Sequence, residues 1–178
     1  MNLPNWLTII RIILVPFMIL MYYVGGPNWN IYAAIIFIVA SITDMVDGML
    51  ARKMNLVTNF GKLMDPIADK VLVMAALVLM VDWGKVNSVV TIILLAREFV
   101  ISGFRLVAAS NGVVMAAGAI GKWKTVTQLV GMSFIFLGNP IFSLWNIPFG
   151  EILLYISMVL SIWSCVEYIY QNRALLKE

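Results

Sequence analysis

The sequence contains no histidine, which removes imidazole from every catalytic or metal-binding scheme. It contains one cysteine, Cys165, so an intrachain disulfide is excluded. That residue lies in an apolar run, where a small buried hydrophobe is the reading that fits. Charge is scarce. Only 12% of residues are Asp, Glu, Lys or Arg, about half the share found in soluble domains. None occurs from Ile12 to Thr43, nor from Thr125 to Gly150. The formal net charge of +3 is too small to suggest a nucleic-acid partner, and none is expected. No basic residue precedes the first apolar segment, and Arg11 falls inside it. "MNLPNWLTIIRIILVPFMIL" is therefore expected to be retained rather than cleaved as a signal peptide.

What the chain has in abundance is apolar sequence: 62% of its 178 residues are hydrophobic and the mean hydropathy is +0.97. An ordinary soluble domain is excluded. A helix needs roughly 20 apolar residues to cross a hydrocarbon core of about 30 Å. Six such segments can be drawn, over about 6–24, 31–50, 63–81, 88–108, 125–137 and 151–170, the fifth being the shortest. "GGPNWN" and "DWGKVN" supply turns, and "ARKMNLVTNFGK", "SNGVVMAAGAIGKWK" and "GNPIFSLWNIPFG" supply the other connections. The expected fold is an all-α polytopic membrane protein with six transmembrane helices, formed by residues 1–178 as a single domain. Six crossings place both termini on one side. Arg52, Lys53, Lys62, Arg105, Lys122, Lys124, Arg173 and Lys177 fall on that side, and only Lys85 on the other. By the positive-inside rule the first side, with both termini, is cytoplasmic.

The most polar stretch, "SITDMVDGMLARKMNLVTNFGKLMDPIADK", holds Asp44, Asp47, Asp65 and Asp69. Asp44 and Asp47 are three apart, Asp65 and Asp69 four apart, so each pair shares a helix face. The first pair sits at the end of segment two and the second at the start of segment three, and a polar connection brings the pairs face to face. An aspartate at mid-membrane costs about 2.5 to 3.5 kcal/mol on insertion scales. Four facing carboxylates also repel unless protonated or bound to a cation. Helix capping and pairing with Lys53, Lys62 and Lys70 would explain one aspartate better than four. Two divalent cations would balance four negative charges, and oxygen donors suit Mg²⁺ or Mn²⁺ equally. Gly48 leaves bare backbone for a close approach, Ala51 keeps that side low, Arg52 offers a fork for phosphate oxygens, and Gly61 opens space before Asp65. Together these describe a metal-assisted phosphate site.

Those residues resemble the signature of the CDP-alcohol phosphatidyltransferase family. The pattern D-x2-D-G-x2-A-R-x8-G-x3-D-x3-D is met at every fixed position between Asp44 and Asp69. The resemblance implies an enzyme that joins an alcohol to the phosphatidyl group of a CDP-linked lipid and releases CMP. It implies that Asp44, Asp47, Asp65 and Asp69 hold two divalent metals. Gly48, Ala51, Arg52 and Gly61 would line the nucleotide site, with Asn5 and Thr8 nearby, and Asp69 would be the general base. Thr8 and Arg11 are equally explained as polar residues of an interfacial helix. The resemblance also implies a homodimer in the bacterial cytoplasmic membrane, among membrane lipids, with the site facing the cytoplasm.

Downstream, Arg97 lies inside an apolar segment beside Glu98, and Arg105 returns to nearly the same face eight residues on. Lys122 and Lys124 stand at the start of segment five. Snorkelling explains the lysines, and pairing with Glu98 or an aspartate explains Arg97. The other reading is a basic pocket for an anionic acceptor, a phosphate monoester rather than serine or inositol. "NLPNWLTIIRI" and the pattern Ala96, Arg97, Glu98, Arg105, Gly121, Lys122, Lys124, Thr125, Gln128 resemble the phosphatidylglycerophosphate synthase branch of the family. The substrates then implied are CDP-diacylglycerol and glycerol 3-phosphate. A sister enzyme taking inositol phosphate, phosphatidylglycerol or serine is the alternative within the same chemistry. A cation transporter is the alternative from another class. It is disfavoured by carboxylates clustered at one face, by the absence of an inverted repeat, and by the placement of Gly48, Ala51 and Arg52.

Overall fold

In a computed structural model of the protein, the backbone is described for residues 3–54, 59–110 and 118–172. Side chains are described for Trp6 and for residues 8–43, 67–110 and 118–172. Among the described residues the structure is all-helical: α1 (Leu3–Val24), α2 (Trp29–Met54), α3 (Asn59–Asp82), α4 (Ser88–Ser110), α5 (Ala119–Phe136) and α6 (Phe149–Gln171), with short 3-10 turns at Gly26–Asn28 and Phe142–Trp145. Five of the six expected apolar segments lie within one helix each, and the segment 125–137 runs one residue past the end of α5. The helices extend further than the apolar runs because polarity does not break a helix. Met54 ends α2 and Asn59 begins α3, so most of "ARKMNLVTNFGK" is helical. The fifth helix starts at Ala119 rather than near Thr125: Lys122 and Lys124 interrupt hydropathy, yet lysine is a good helix former. At 18 residues and 1.5 Å per residue, α5 is about 27 Å long.

Along α6 polarity is distributed inside out. On α6 the buried positions are Gly150, Leu154, Ser157, Ser161, Ser164 and Tyr168, a stripe of alternating four- and three-residue steps. The outward positions include Ile152, Ile156, Val159, Ile162, Trp163 and Val166. A helix standing in water would put the serines outside and the isoleucines inside. Helices α1 and α2 likewise turn Ile13, Phe17, Leu20, Ile31, Ile35 and Val39 outward. Small and polar residues between helices, with large apolar ones around them, mark a membrane protein. Among the described residues, two helical stretches, Gly26–Thr43 and Phe149–Gln171, are long and apolar enough to span a bilayer.

One end of the bundle is closed by aromatic rings. Trp29 at the start of α2 meets Tyr22 of α1 edge-on at 4.6 Å between centroids. It also meets Trp83, just past α3, at 4.7 Å, and Phe136 at the end of α5 at 6.4 Å. The Asn30 amide donates to the Phe136 carbonyl at 2.9 Å, satisfying a group the helix end leaves open. The α3–α4 turn at this end relies on Gly84, whose φ of +74° is costly for other residues. The amides of Lys85 and Val86 both donate to the Met80 carbonyl. Asn139, itself at positive φ, accepts from the Gly150 amide at 2.7 Å and donates to Glu151 at 2.8 Å, capping α6. With these ends gathered together, the α2–α3 joint and the start of α5 lie at the other end.

Helices α5 and α6 make the most extensive pairing in the bundle. They cross where Gly131 faces Gly150. A Cβ on Gly131 would come 2.9 Å from the Gly150 carbonyl, and one on Gly150 would come 2.7 Å from the Gly131 carbonyl and 2.8 Å from the Ile135 amide nitrogen. Backbone atoms cannot swing aside, so the helices must separate to admit a methyl group. Gly150→Ala is expected to destabilise the protein by about 1–3 kcal/mol, read as a lowered thermal midpoint in detergent. Gly103→Ala, where nothing lies within 4 Å, should cause no loss.

Candidate active site

Helix α4 carries "AREF" in its middle, placing an arginine and a glutamate where the neighbours are other helices. A buried cation in such surroundings needs a partner, and here the partners come from three helices. Lys124 of α5 is nearly enclosed, its side chain 4% exposed, and its Nζ donates to Glu98 Oε2 at 2.6 Å. Arg97 Nη1 donates to the same oxygen at 3.2 Å. Arg97 Nη2 donates to Ser164 Oγ of α6 at 2.8 Å. The Ser164 hydroxyl sends its own proton to the Ser161 carbonyl at 3.1 Å, which leaves its lone pairs for the guanidinium. Gly121 faces Arg97, with its Cβ position 3.7 Å from Nη2. One carboxylate therefore serves two cations, and the trio keeps a formal charge of +1.

Glu98 and Lys124 of this trio line a pocket of about 60 Å³ between α3, α4 and α5, room for several waters. Asp69 and Lys70 of α3, Glu98 of α4, and Lys124 and Gln128 of α5 line it, over a floor that includes Val73 and Leu94. The pocket thus joins one signature aspartate to the buried ion pair. Further along α4 the pattern repeats in another form. Arg105 Nε donates to the Tyr168 hydroxyl at 3.1 Å, and its guanidinium carbon lies 5.5 Å from the centre of that ring. Tyr168 is buried, held edge-on by Phe104 at 6.0 Å.

Asp69, Glu98 and Lys124 meet at the pocket, and Arg97 joins them through Glu98. Arg105 stands beyond the pocket beside Tyr168. Lys122 is exposed at the start of α5, and its side chain has no hydrogen bond or ion pair among the described residues. Thr8 and Arg11 are buried in α1, each only 2% exposed, and neither lacks a partner. Asn5 belongs to α1, Asp44, Asp47, Gly48, Ala51 and Arg52 to α2, and Gly61 and Asp65 to α3. The side chains of these eight lie outside the described residues. Their places along the helices are informative nonetheless. Asp44 and Asp69 are each ten residues from the α2–α3 joint, and Asp47 and Asp65 seven and six. At 1.5 Å per residue the pairs stand at matching depths, about 15 Å and about 10 Å from that joint.

A family model of CDP-alcohol phosphatidyltransferase matches residues 1–163. The chain belongs to that family. A Bacillus subtilis (strain 168) protein named CDP-diacylglycerol–glycerol-3-phosphate 3-phosphatidyltransferase is 43% identical to it, over 99% of this chain and 97% of the relative. A Rickettsia bellii protein of the same name is 40% identical over 94% and 93%. A Shigella flexneri serotype 5b protein, again of that name, is 39% identical over 97% and 96%. The chain is thus a transferase of phosphatidyl groups acting in phospholipid biosynthesis. A divalent metal ion fits the chemistry of this family, and the aspartates of the signature are oxygen donors of the type such an ion takes.

Ser164 and Tyr168 are the partners that the sequence did not reveal. Their only signal is membership of the buried small and polar stripe of α6, which reads as packing. Glu98 is more legible as a counter-ion to Arg97, but its shorter bond is to Lys124 of another helix. Removing the carboxylate leaves two cations facing each other without the group they share. Glu98→Gln should therefore destabilise by about 1–3 kcal/mol, discounted for a carboxylate 34% exposed. In thermal unfolding in detergent, Glu98→Gln with Lys124→Gln should recover part of that loss.

Proposed function

We propose that this protein transfers the phosphatidyl group of CDP-diacylglycerol to sn-glycerol 3-phosphate, forming phosphatidylglycerophosphate and CMP. The observation that carries this reading is the agreement in name of relatives 39–43% identical over nearly the whole chain. The geometry supports it: a pocket lined by Asp69 adjoins Lys124 and Arg97, and Arg105 stands beyond. A doubly charged acceptor gains from the net positive charge of the trio and from Arg105; serine or an uncharged polyol gains less.

Asp44, Asp47, Asp65 and Asp69 would hold two divalent cations, Mg²⁺ or Mn²⁺, which when bound neutralise charge on the CDP pyrophosphate. Gly48, Ala51, Arg52 and Gly61, with Asn5 and Thr8, form the nucleotide side of the site in this reading. Arg97, Arg105, Lys122 and Lys124 bind the phosphate of the acceptor. Asp69 accepts the proton of the acceptor hydroxyl. The freed oxygen attacks the phosphorus that bears diacylglycerol, the bond from that phosphorus to the CMP oxygen breaks, and CMP leaves with the electron pair. Six crossings with the positive connections and both termini in the cytoplasm put this chemistry at the cytoplasmic face of the bacterial membrane. There a soluble acceptor and a lipid substrate can meet. Membership of the family supports a homodimer as the working state.

The test is an assay of purified protein in lipid–detergent micelles with labelled acceptors and either metal. Product from glycerol 3-phosphate with metal-dependent release of CMP is expected. Product from serine or inositol phosphate but not glycerol 3-phosphate would transfer the protein to a sister activity, and cation flux without CMP release would remove it from this chemistry. Asp69→Asn should lower kcat by on the order of 10²–10⁴-fold while CDP-diacylglycerol still binds. Near-normal turnover would show that Asp69 is not the base.

A further inference from the structure

We infer that Ser164 and Tyr168 of α6 are positioning residues that set the two arginines of α4 for an acceptor phosphate, and that Tyr168 does so without cancelling any charge. The inference rests on the acceptor reading above and concerns residues outside the aspartate signature. The two α6 residues are one helical turn apart, and each holds one arginine of the neighbouring helix: Ser164 Oγ takes Arg97 Nη2 at 2.8 Å, and the Tyr168 hydroxyl takes Arg105 Nε at 3.1 Å. Both holders are buried and fixed themselves. Ser164 is oriented by its bond to the Ser161 carbonyl, and Tyr168 by the edge of Phe104.

The two arginines differ in what remains available. Arg97 gives Nη1 to a carboxylate and Nη2 to a hydroxyl, so much of its charge and its fork are committed within the protein. Arg105 gives only Nε, to a neutral oxygen, and stacks over the same ring. Among the described residues its two terminal nitrogens have no partner. The paired N–H groups of that edge match two oxygens of a phosphate. A carboxylate in place of the phenol would hold the arginine as well, but would compete with the anion. A phenol fixes the guanidinium, lends its π face, and leaves the full positive charge for the ligand.

Kinetics in the intact membrane enzyme test this. Arg105→Ala should raise the KM for glycerol 3-phosphate more than that for CDP-diacylglycerol. Tyr168→Phe keeps the ring against Phe104 and removes only the hydroxyl. It should raise the KM for glycerol 3-phosphate about three- to tenfold, leave that for CDP-diacylglycerol unchanged, and add nothing further in an Arg105→Ala background. Equal shifts in both constants, no shift in the glycerol 3-phosphate constant, or an effect that persists without Arg105 would make Tyr168 a packing residue and overturn the inference. If Arg105→Ala alone leaves the glycerol 3-phosphate constant unmoved, the acceptor reading fails at this arginine. That result is visible without touching Tyr168, and the inference falls with it. Should Tyr168→Phe fail to fold, Ser164→Ala, measured alone and with Arg97→Ala, carries the same comparison and the same overturning results.

Discussion

A charge placed between these helices can find its counterpart only inside the bundle, because the outer surface is made for lipid. That constraint organises the structure. The outward faces of α1, α2 and α6 carry isoleucine, valine and aromatic residues, so no water is offered from the side. Arg97 and Lys124 therefore converge on Glu98, and Arg97 reaches across to Ser164. Three helices with little apolar attraction for one another in a bilayer are thereby tied at one level. Of the polar groups that fix α4, α5 and α6 at this level, Glu98 and Lys124 also line the pocket. Stability and the candidate site draw on the same side chains.

The helices can approach closely enough for such bonds because of what is missing elsewhere. At the crossing of Gly131 and Gly150 the backbones of α5 and α6 touch without side chains between them, which sets the separation of these helices along their length. The bond from Asn139 to the Gly150 amide fixes the start of α6 just beside that crossing. Counting along α6 from there, the stripe reaches Ser164 and Tyr168 four and five turns later, facing α4. The aromatic cluster around Trp29 performs the corresponding task for α1, α2, α3 and α5. Depth in the bundle is thus set at the end away from the pocket, and the functional side chains inherit it.

Much of this was legible in the residues, for definite reasons. The six apolar runs each fell on one of the six long helices among the described residues, because a long apolar run without strong breakers favours a helix. The aspartates stood out because four carboxylates are costly in so apolar a chain. Helix ends were harder. Lys122 and Lys124 look like a connection by hydropathy, yet they belong to α5, since lysine lowers hydropathy without opposing the helix. Residues such as Thr8 and Arg11 could equally have faced an interface; their burial in α1 comes from packing, which no single segment encodes. Ser164 and Tyr168 were illegible for the same reason: a serine and a tyrosine on an apolar helix acquire meaning only from the arginines beside them.

The two arginines show how one helix can treat the same side chain in two ways. Arg97 is locked by a carboxylate shared with Lys124, so its charge is largely answered before any ligand arrives. Arg105 is locked by a phenol, and its charge is not. In the proposed chemistry this asymmetry has a consequence. A group that neutralises the site in advance favours the folded, empty protein, whereas one held by neutral atoms favours the protein with its anion bound. Placing the answered cations in the interior and the unanswered one nearer the end of α4 satisfies both demands. Ordering Arg105 in advance also lowers the entropy lost when an anion binds. The preference for a phosphate-bearing acceptor then resides less in the number of cations than in which of them the protein leaves uncompensated.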